Sequence, residues 1–178
     1  MNTRFSILES LNAGDFQHLN GSLETHLKGT AALLKKWGAS EVVQTAGLFH
    51  AAYGTAGFSQ HMVSLEQRQS IAQTIGKDAE ALVYLYCSCD RNFVFPQFGK
   101  AQNIVFRDRF TGTDFELSND DALMFCELTV ANELELVYAS DAFKKQHGHG
   151  LYELFNRLEK YLSQCAKAEY KTALSDII

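Results

Sequence analysis

Apolar positions recur at helical spacing through the first half of the chain, three, four and seven residues apart. They predict a short helix over residues 5–11 and a longer one that begins after Ser22 and ends at Gly38. Ser40 begins a third helix, which the spacing extends to Gly54. The pattern therefore predicts a mainly α protein in which serines begin the helices and glycines end them.

The next two helices are predicted from the same signals. Ser64 and Gln67 have the spacing of a capping box ahead of a fourth helix, and Gly76 breaks that helix. A fifth helix is predicted over residues 78–90, where alanine, leucine, valine and tyrosine supply its apolar side. These helices and the three before them indicate a helical bundle.

The pattern changes between residues 103 and 117, where β-branched and aromatic residues surround a threonine–glycine turn at Gly112. We interpret this segment as a small β-hairpin inserted into the bundle. A long helix is predicted over residues 119–139. The glycine–histidine run at residues 147–150 predicts a loop, and a C-terminal helix follows over about residues 150–170.

Composition limits the classes of function. The chain has 178 residues, 46% of them hydrophobic, and a net charge of −5. That length predicts one domain, residues 1–178, and the mild acidity argues against nucleic acid as a partner. No apolar run is long enough for a membrane span and no signal-peptide core is present, so we expect no membrane partner. Reduced thiols are expected in a cytoplasmic protein, which predicts no disulfide among Cys87, Cys89, Cys126 and Cys165.

Two histidines are predicted to face the interior from consecutive helices. His26 lies on the second predicted helix and His50 near the end of the third. Neutral imidazole is a common metal ligand, and two neighbouring helices can bring two imidazoles to one point. A single histidine on an apolar face is more often a core residue, and that alternative stays open for each of them.

The residues around these histidines resemble a known family. The run from Gly21 to His26, and the run from Ala46 to His50, are similar to the opening of the HD-domain superfamily. The closest likeness is to the hydrolase domain of the Rel/Spo-type enzymes that degrade guanosine tetraphosphate alarmones. The likeness covers about residues 20–140 and implies an HD-domain-like helical bundle. It also implies a metal site formed by His26, His50 and Asn132.

The sequence departs from the family pattern at the charged ligands. The family's second histidine is followed by an aspartate, where this chain has Ala51, and its late aspartate corresponds here to Asn132. The Rel/Spo-type enzymes also have a Glu-Asp pair, where this chain has Gly54 and Thr55. Two imidazoles and an amide should bind a hard cation such as Mn²⁺ poorly. The cofactor that the resemblance implies is a divalent metal (Mn, Fe, Zn or Ni).

Other residues are candidates for the same pocket. Glu127, Glu133 and Glu135 lie on the late helix, and His18 and His61 could add imidazoles. Because some HD-lineage enzymes are iron oxygenases with extra histidines, the resemblance also leaves an iron oxygenase open as a further alternative to the three hypotheses given below.

Arginines are candidates for binding an anionic substrate. Arg107 and Arg109 are predicted to project from one face of the first strand of the hairpin, and Arg68 lies on the fourth helix. Salt bridges at the surface are the alternative for the strand pair. Tyr53 follows His50 closely and is a candidate for lining the same pocket.

Three hypotheses follow. The first is a metal-dependent phosphohydrolase that acts on a nucleotide or another phosphorylated metabolite. The second is a degenerate, non-catalytic HD-like module that binds a small-molecule ligand or a protein. The third is a metal-independent enzyme with His50 as general base beside Tyr53 or His26. A small molecule is the expected partner in most of these, and a homodimer is a further candidate arrangement.

Overall fold

The computed structural model of the protein describes residues 17–18 and 21–178, so the helix predicted over residues 5–11 lies outside the described residues. Its architecture is mainly α with a small antiparallel hairpin, as the sequence predicts. In the described part of the chain there are eight α-helices: α1 (Leu23–Lys36), α2 (Glu41–Phe49), α3 (Arg68–Ile75), α4 (Lys77–Ser88), α5 (Arg91–Val94), α6 (Asn119–Ala139), α7 (Asp141–Leu158) and α8 (Gln164–Ala173).

The strands form two small antiparallel ladders. Strands β1 (Gln17–His18) and β2 (Gly21–Ser22) lead into α1. Strands β3 (Val105–Asp108) and β4 (Thr113–Glu116) form the predicted hairpin, with Val105 opposite Glu116. Gly112 has φ 71° in the turn, a conformation that favours glycine.

Serine caps begin the helices where the sequence predicts them. The side chain of Ser22 accepts from the amide of Thr25 at the start of α1, and Ser40 accepts from Val43 at the start of α2. The capping box between Ser64 and Gln67 is also present. It opens a short 3₁₀ turn, Leu65–Gln67, that leads into α3.

Helix α6 is the centre of the bundle. It contacts α1, α2, α4, α7 and α8, and most of its residues are buried. The apolar side chains of Phe125, Leu128 and Leu134 are fully buried in the core. Because α6 is surrounded on several sides, its polar residues Thr129 and Asn132 are also buried, and Asn132 contacts His26 of α1.

The end of α2 and the loop predicted at residues 147–150 differ from the prediction. Helix α2 ends at Phe49 with His50 as its C-cap, earlier than Gly54. The run at residues 147–150 is not a loop, since it lies inside α7. A Cβ at Gly148 would lie 3.2 Å from side-chain carbons of Ile177, so this glycine permits close packing within a helix.

The C-terminal helix predicted over residues 150–170 is in fact two helices. Helix α7 ends at Leu158, a 3₁₀ turn follows over Glu159–Tyr161, and α8 begins after Ser163. The carboxylate of Glu127 accepts the Ser163 amide at 3.0 Å and its hydroxyl at 2.6 Å. These two hydrogen bonds hold the residue before the first turn of α8 in place. Glu127, which was a candidate for the pocket, therefore has a structural role at this helix start.

The cysteines are free thiols, as predicted: Cys87, Cys89 and Cys126 are buried, and Cys165 is exposed. Among the described residues, no helix is both long enough and apolar enough to cross a membrane.

Candidate functional site

Three side chains from three helices meet at one point of the bundle. His26 comes from α1, His50 caps the end of α2, and Asn132 comes from α6. The Nε2 atom of His26 lies 3.2 Å from Nε2 of His50 and 2.9 Å from Oδ1 of Asn132. All three residues are at least nine-tenths buried. The structure therefore brings together the three residues that the resemblance implies.

The outer nitrogen of each imidazole faces an acceptor. Nδ1 of His26 contacts the carboxylate of Glu135, and Nδ1 of His50 lies 2.7 Å from the carbonyl oxygen of Gly47. These contacts assign the ring proton to Nδ1 in both histidines, because a carbonyl or carboxylate oxygen can only accept. In the neutral form of each ring, Nε2 then presents a lone pair toward the meeting point.

The amide of Asn132 is oriented by its neighbour. Its Nδ2 donates to Oε1 of Glu133 at 3.1 Å, which directs Oδ1 toward His26. Nε2 of His26 thus lies within 3.2 Å of both Nε2 of His50 and Oδ1 of Asn132. Either a second proton on His26 that is donated to Oδ1, or a cation held by these atoms, is compatible with this geometry.

The spacing suits metal ligands. Ligand atoms about 2.1 Å from a metal are about 3.0 Å apart at a right angle and about 3.4 Å apart at the tetrahedral angle. The 2.9 and 3.2 Å separations are close to these values. In residues 17–18 and 21–178, no three His, Cys, Asp or Glu side chains are grouped to hold a metal, and the third atom at this meeting point belongs to an amide.

A cavity of about 400 Å³ opens above these side chains. Its size is in the range of small-molecule sites. Ala51 lines it next to His50, and its methyl group supplies no ligand. The remaining described lining residues are mostly apolar or small: Leu23, Thr55, Gly57, Phe58, Leu136 and Phe143, together with the ion pair of Arg91 and Glu133.

Arg91 supplies the guanidinium of the cavity wall. Its Nη2 donates to the hydroxyl of Tyr86 at 3.1 Å, and its Nη1 lies 3.4 Å from Oε1 of Glu133. Burial raises the pKa of Tyr86, against the opposing effect of Arg91, so this hydroxyl keeps its proton. Gly57 faces Nη1, and a Cβ there would lie 3.6 Å from it.

Tyr53 and Arg68 belong to a different cluster. The hydroxyl of Tyr53 donates to Glu80 at 2.8 Å, and Arg68 donates to both oxygens of Glu80 at 2.7 and 3.0 Å. Neither side chain lines the histidine cavity. Tyr53 is therefore not placed to assist His50, whereas His26 is in direct contact with His50.

Arg107 and Arg109 do not form a paired anion site. Strand β3 ends at Asp108, so the alternation that would put both arginines on one face stops between them. Arg107 forms two 2.8 Å hydrogen bonds with Asp114 across the hairpin. Arg109 donates instead to the carbonyl oxygens of Cys87 and Gly54. The salt-bridge alternative accounts for Arg107. Arg109 instead connects the backbone at the end of α4 to the backbone after α2.

Of the additional candidates, Glu135 and Glu133 reach the site, and Glu127 does not. His61 is exposed on the loop after α2, and His147 and His149 are exposed on α7. The side chain of His18 lies outside the described part. Sequence reasoning missed Phe58 and Phe143 as cavity residues, because a loop phenylalanine and a helix phenylalanine carry no local sign of a shared cavity.

The comparisons with known proteins reach only part of this site. Residues 7–91 match the model of a domain of unknown function, DUF6817. No curated protein matches the chain. No solved structure matches it either. The matched segment contains His26, His50 and Arg91, while Asn132 and Glu135 lie beyond it, so the chain is similar to this family over the part that supplies both histidines.

Proposed function

We propose that the histidine cavity is the active site of a metal-dependent phosphohydrolase that acts on a small phosphorylated molecule. The observation that supports this most is the convergence of His26 Nε2, His50 Nε2 and Asn132 Oδ1 at the base of the cavity. The proposal keeps the activity implied by the HD-domain resemblance, and it assigns the third ligand position to an amide.

The residues present fit a divalent transition metal. His26, His50 and Asn132 would hold it, and this neutral set of two imidazoles and one amide suits Zn²⁺, Fe²⁺ or Ni²⁺ better than Mn²⁺. A bound divalent cation would supply Lewis-acid polarisation of a phosphoryl oxygen and activation of water. Ala51 leaves room beside the ligands, because a methyl group is shorter than the aspartate side chain that the resemblance implies at this position.

Arg91 is the residue of this chain that would bind the phosphate. Of the described residues lining the cavity, it is the one that carries a permanent positive charge. Its guanidinium is held by Tyr86 and Glu133, so it loses little side-chain entropy when an anion binds. The apolar walls formed by Leu23, Phe58 and Phe143 would then contact the rest of the substrate.

A non-catalytic binding module is the second candidate function, and Ala51 is the observation that favours it. The site has no carboxylate at the position where HD hydrolases use one as a ligand. In this alternative Nε2 of His26 carries a proton and donates it to Oδ1 of Asn132 and Nε2 of His50, so the three side chains are hydrogen-bonded to one another without metal. The cavity would bind an organic anion through Arg91 without turning it over.

Metal titration separates the two candidates. We expect the chelator-treated wild-type protein to bind Zn²⁺ or Ni²⁺ at one site by calorimetry, and His26→Ala or His50→Ala to abolish binding. His61→Ala is the matched control, because His61 is exposed on a loop and should leave binding intact. Absence of stoichiometric metal binding in the wild type would favour the non-catalytic module.

Hydrolysis is tested on a panel of nucleoside phosphates and sugar phosphates with each metal added in turn. We expect Arg91→Gln to raise KM by about tenfold or more, since a hydrogen bond to a charged group contributes about 1.5–3 kcal/mol. Arg107→Gln is its control, because Arg107 pairs with Asp114 on the hairpin. A metal-loaded protein that hydrolyses none of these phosphates would contradict the proposed reaction.

A further inference from the structure

A glycine in the middle of α1 leaves space for a side chain of α6. Gly29 lies three residues after His26, and a Cβ built on it would lie 2.7 Å from Cγ and 2.9 Å from Oε1 of Glu135. Real Cβ contacts are not that short, so any other residue at this position would displace Glu135. Glycine inside a helix is less favourable than alanine by about 1 kcal/mol. Its presence here therefore has a packing reason.

We infer that Gly29 and Glu135 together position His26 for ligand binding. Gly29 makes the space that Glu135 occupies, and the carboxylate of Glu135 accepts the Nδ1 proton of His26. This fixes the rotation and the tautomer of the imidazole, so that Nε2 faces His50 and Asn132. For its effect on metal the inference rests on the proposed function, whereas the positioning itself is a property of the metal-free protein.

The register of α6 supports this role. Glu135 follows Asn132 by three residues, so the two side chains lie on the same face of the helix. One face of α6 thus places an amide oxygen at the inner nitrogen of His26 and a carboxylate at its outer nitrogen. Glu135 is not part of the cavity lining, which separates it from residues that would touch a substrate.

His50 is held in a parallel way. Its Nδ1 lies 2.7 Å from the carbonyl oxygen of Gly47, one turn earlier in α2. Hydrogen bonds from the outer nitrogen to a carboxylate or a backbone carbonyl are the usual supports of metal-binding histidines, and their loss typically costs about 10–100-fold in metal affinity. The support of His26 comes from the side chain of Glu135, so a mutation can remove it, whereas the backbone support of His50 stays.

The positioning is tested first without metal. Ring ¹⁵N chemical shifts of His26 in the chelator-treated protein should report a protonated Nδ1 in the wild type. We expect Glu135→Ala to change these shifts and Glu135→Gln to retain them in part, because the glutamine carbonyl can still accept the proton. Unchanged His26 shifts in Glu135→Ala would overturn the inference, whatever the protein does with metal.

Metal affinity and stability are then compared in the same variants. We expect Glu135→Ala and Gly29→Ala to lower Zn²⁺ affinity by about 10–100-fold. Gly29→Ala should do so without a matching loss in thermal stability, because alanine favours the helix. Glu127→Gln is the control on α6, since Glu127 bonds Ser163, and Gly150→Ala is the control for glycine, since nothing lies within 4 Å of a Cβ there.

The outcomes distinguish the two proposals. A wild-type protein that binds no metal while its His26 shifts depend on Glu135 would contradict the proposed function and keep the positioning role. Normal metal affinity in both Glu135→Ala and Gly29→Ala would overturn the positioning role and keep the metal site.

Discussion

Two polar clusters lie inside this bundle, and they satisfy their hydrogen bonds differently. In the cluster around Glu80, the carboxylate receives one bond from Tyr53 and two from Arg68, so donors and acceptors are matched. In the cluster around His26, Nε2 lies next to a second imidazole nitrogen and an amide oxygen, and the direction of these bonds depends on the protonation of the rings.

The difference teaches how to separate a structural cluster from a binding site when both are buried. A matched cluster is complete and stabilises the fold. The cluster around His26 can take up an added proton or a cation among its ligand-type atoms, and for this reason we propose the histidine cavity as the binding site. Both clusters contain residues of the kind that sequence reasoning selects, so residue type alone does not separate them.

The largest expected effect is on the matched cluster. Glu80→Gln removes the charge that pairs with Arg68 and should lower the free energy of unfolding by about 2–3 kcal/mol. We expect metal affinity to stay unchanged, because Glu80 does not line the histidine cavity. Denaturant unfolding and metal titration of the same sample check this. A parallel loss of metal affinity would show that the two clusters are not independent.

A smaller effect is expected when the acceptor cluster receives a charge. Asn132→Asp replaces the neutral ligand with a carboxylate and should tighten Mn²⁺ binding by about tenfold, a gain of about 1.4 kcal/mol. Competition with a metal-sensitive dye measures this. Weaker Mn²⁺ binding in this variant would contradict the placement of Asn132 among the ligands.

The smallest expected effect is at Tyr84, whose ring lies under Arg68. Burial, followed by the hydrogen bond to Asp108, raises the pKa of Tyr84 to about 12. In the unfolded chain the Tyr84 hydroxyl ionises near pH 10. Its contribution to the free energy of unfolding is therefore complete below pH 10 and is lost as the pH rises to about 12. Tyr84→Phe should lower stability at pH 8 by about 1 kcal/mol.

The matching alkaline experiment uses the same variant. Its stability should fall less than that of the wild type between pH 10 and about 12, because the titrating hydroxyl is absent. Parallel pH profiles of the two proteins would contradict the assignment.

Much of the fold could be predicted because its signals are local. Serine caps at Ser22, Ser40 and Ser64 act on amides three residues away, and the apolar spacing indicates which side of a helix is buried. The run at residues 147–150 misled for the opposite reason. Two glycines weaken a helix locally, yet Gly148 packs against Ile177, a contact that no local pattern encodes.

The site was predicted in part. His26, His50 and Asn132 could be selected from the resemblance, and they do meet. The anion candidates Arg107 and Arg109 do not share one face. Strand β3 ends at Asp108, and the alternation of side chains between the two faces of a strand, on which the prediction depends, ends there. The roles of Glu135 and Gly29 depend on the distance between α1 and α6, which only the packed structure provides.

One contact at the end of α2 has a consequence for position 87. The thiol of Cys87, on α4, donates to the carbonyl oxygen of His50 at 3.1 Å. Position 87 therefore helps to hold the backbone of a cavity residue from a separate helix. Because the acceptor is a backbone oxygen that any residue at position 50 would supply, the constraint falls on position 87, where we expect related chains to keep a small hydrogen-bond donor such as cysteine or serine.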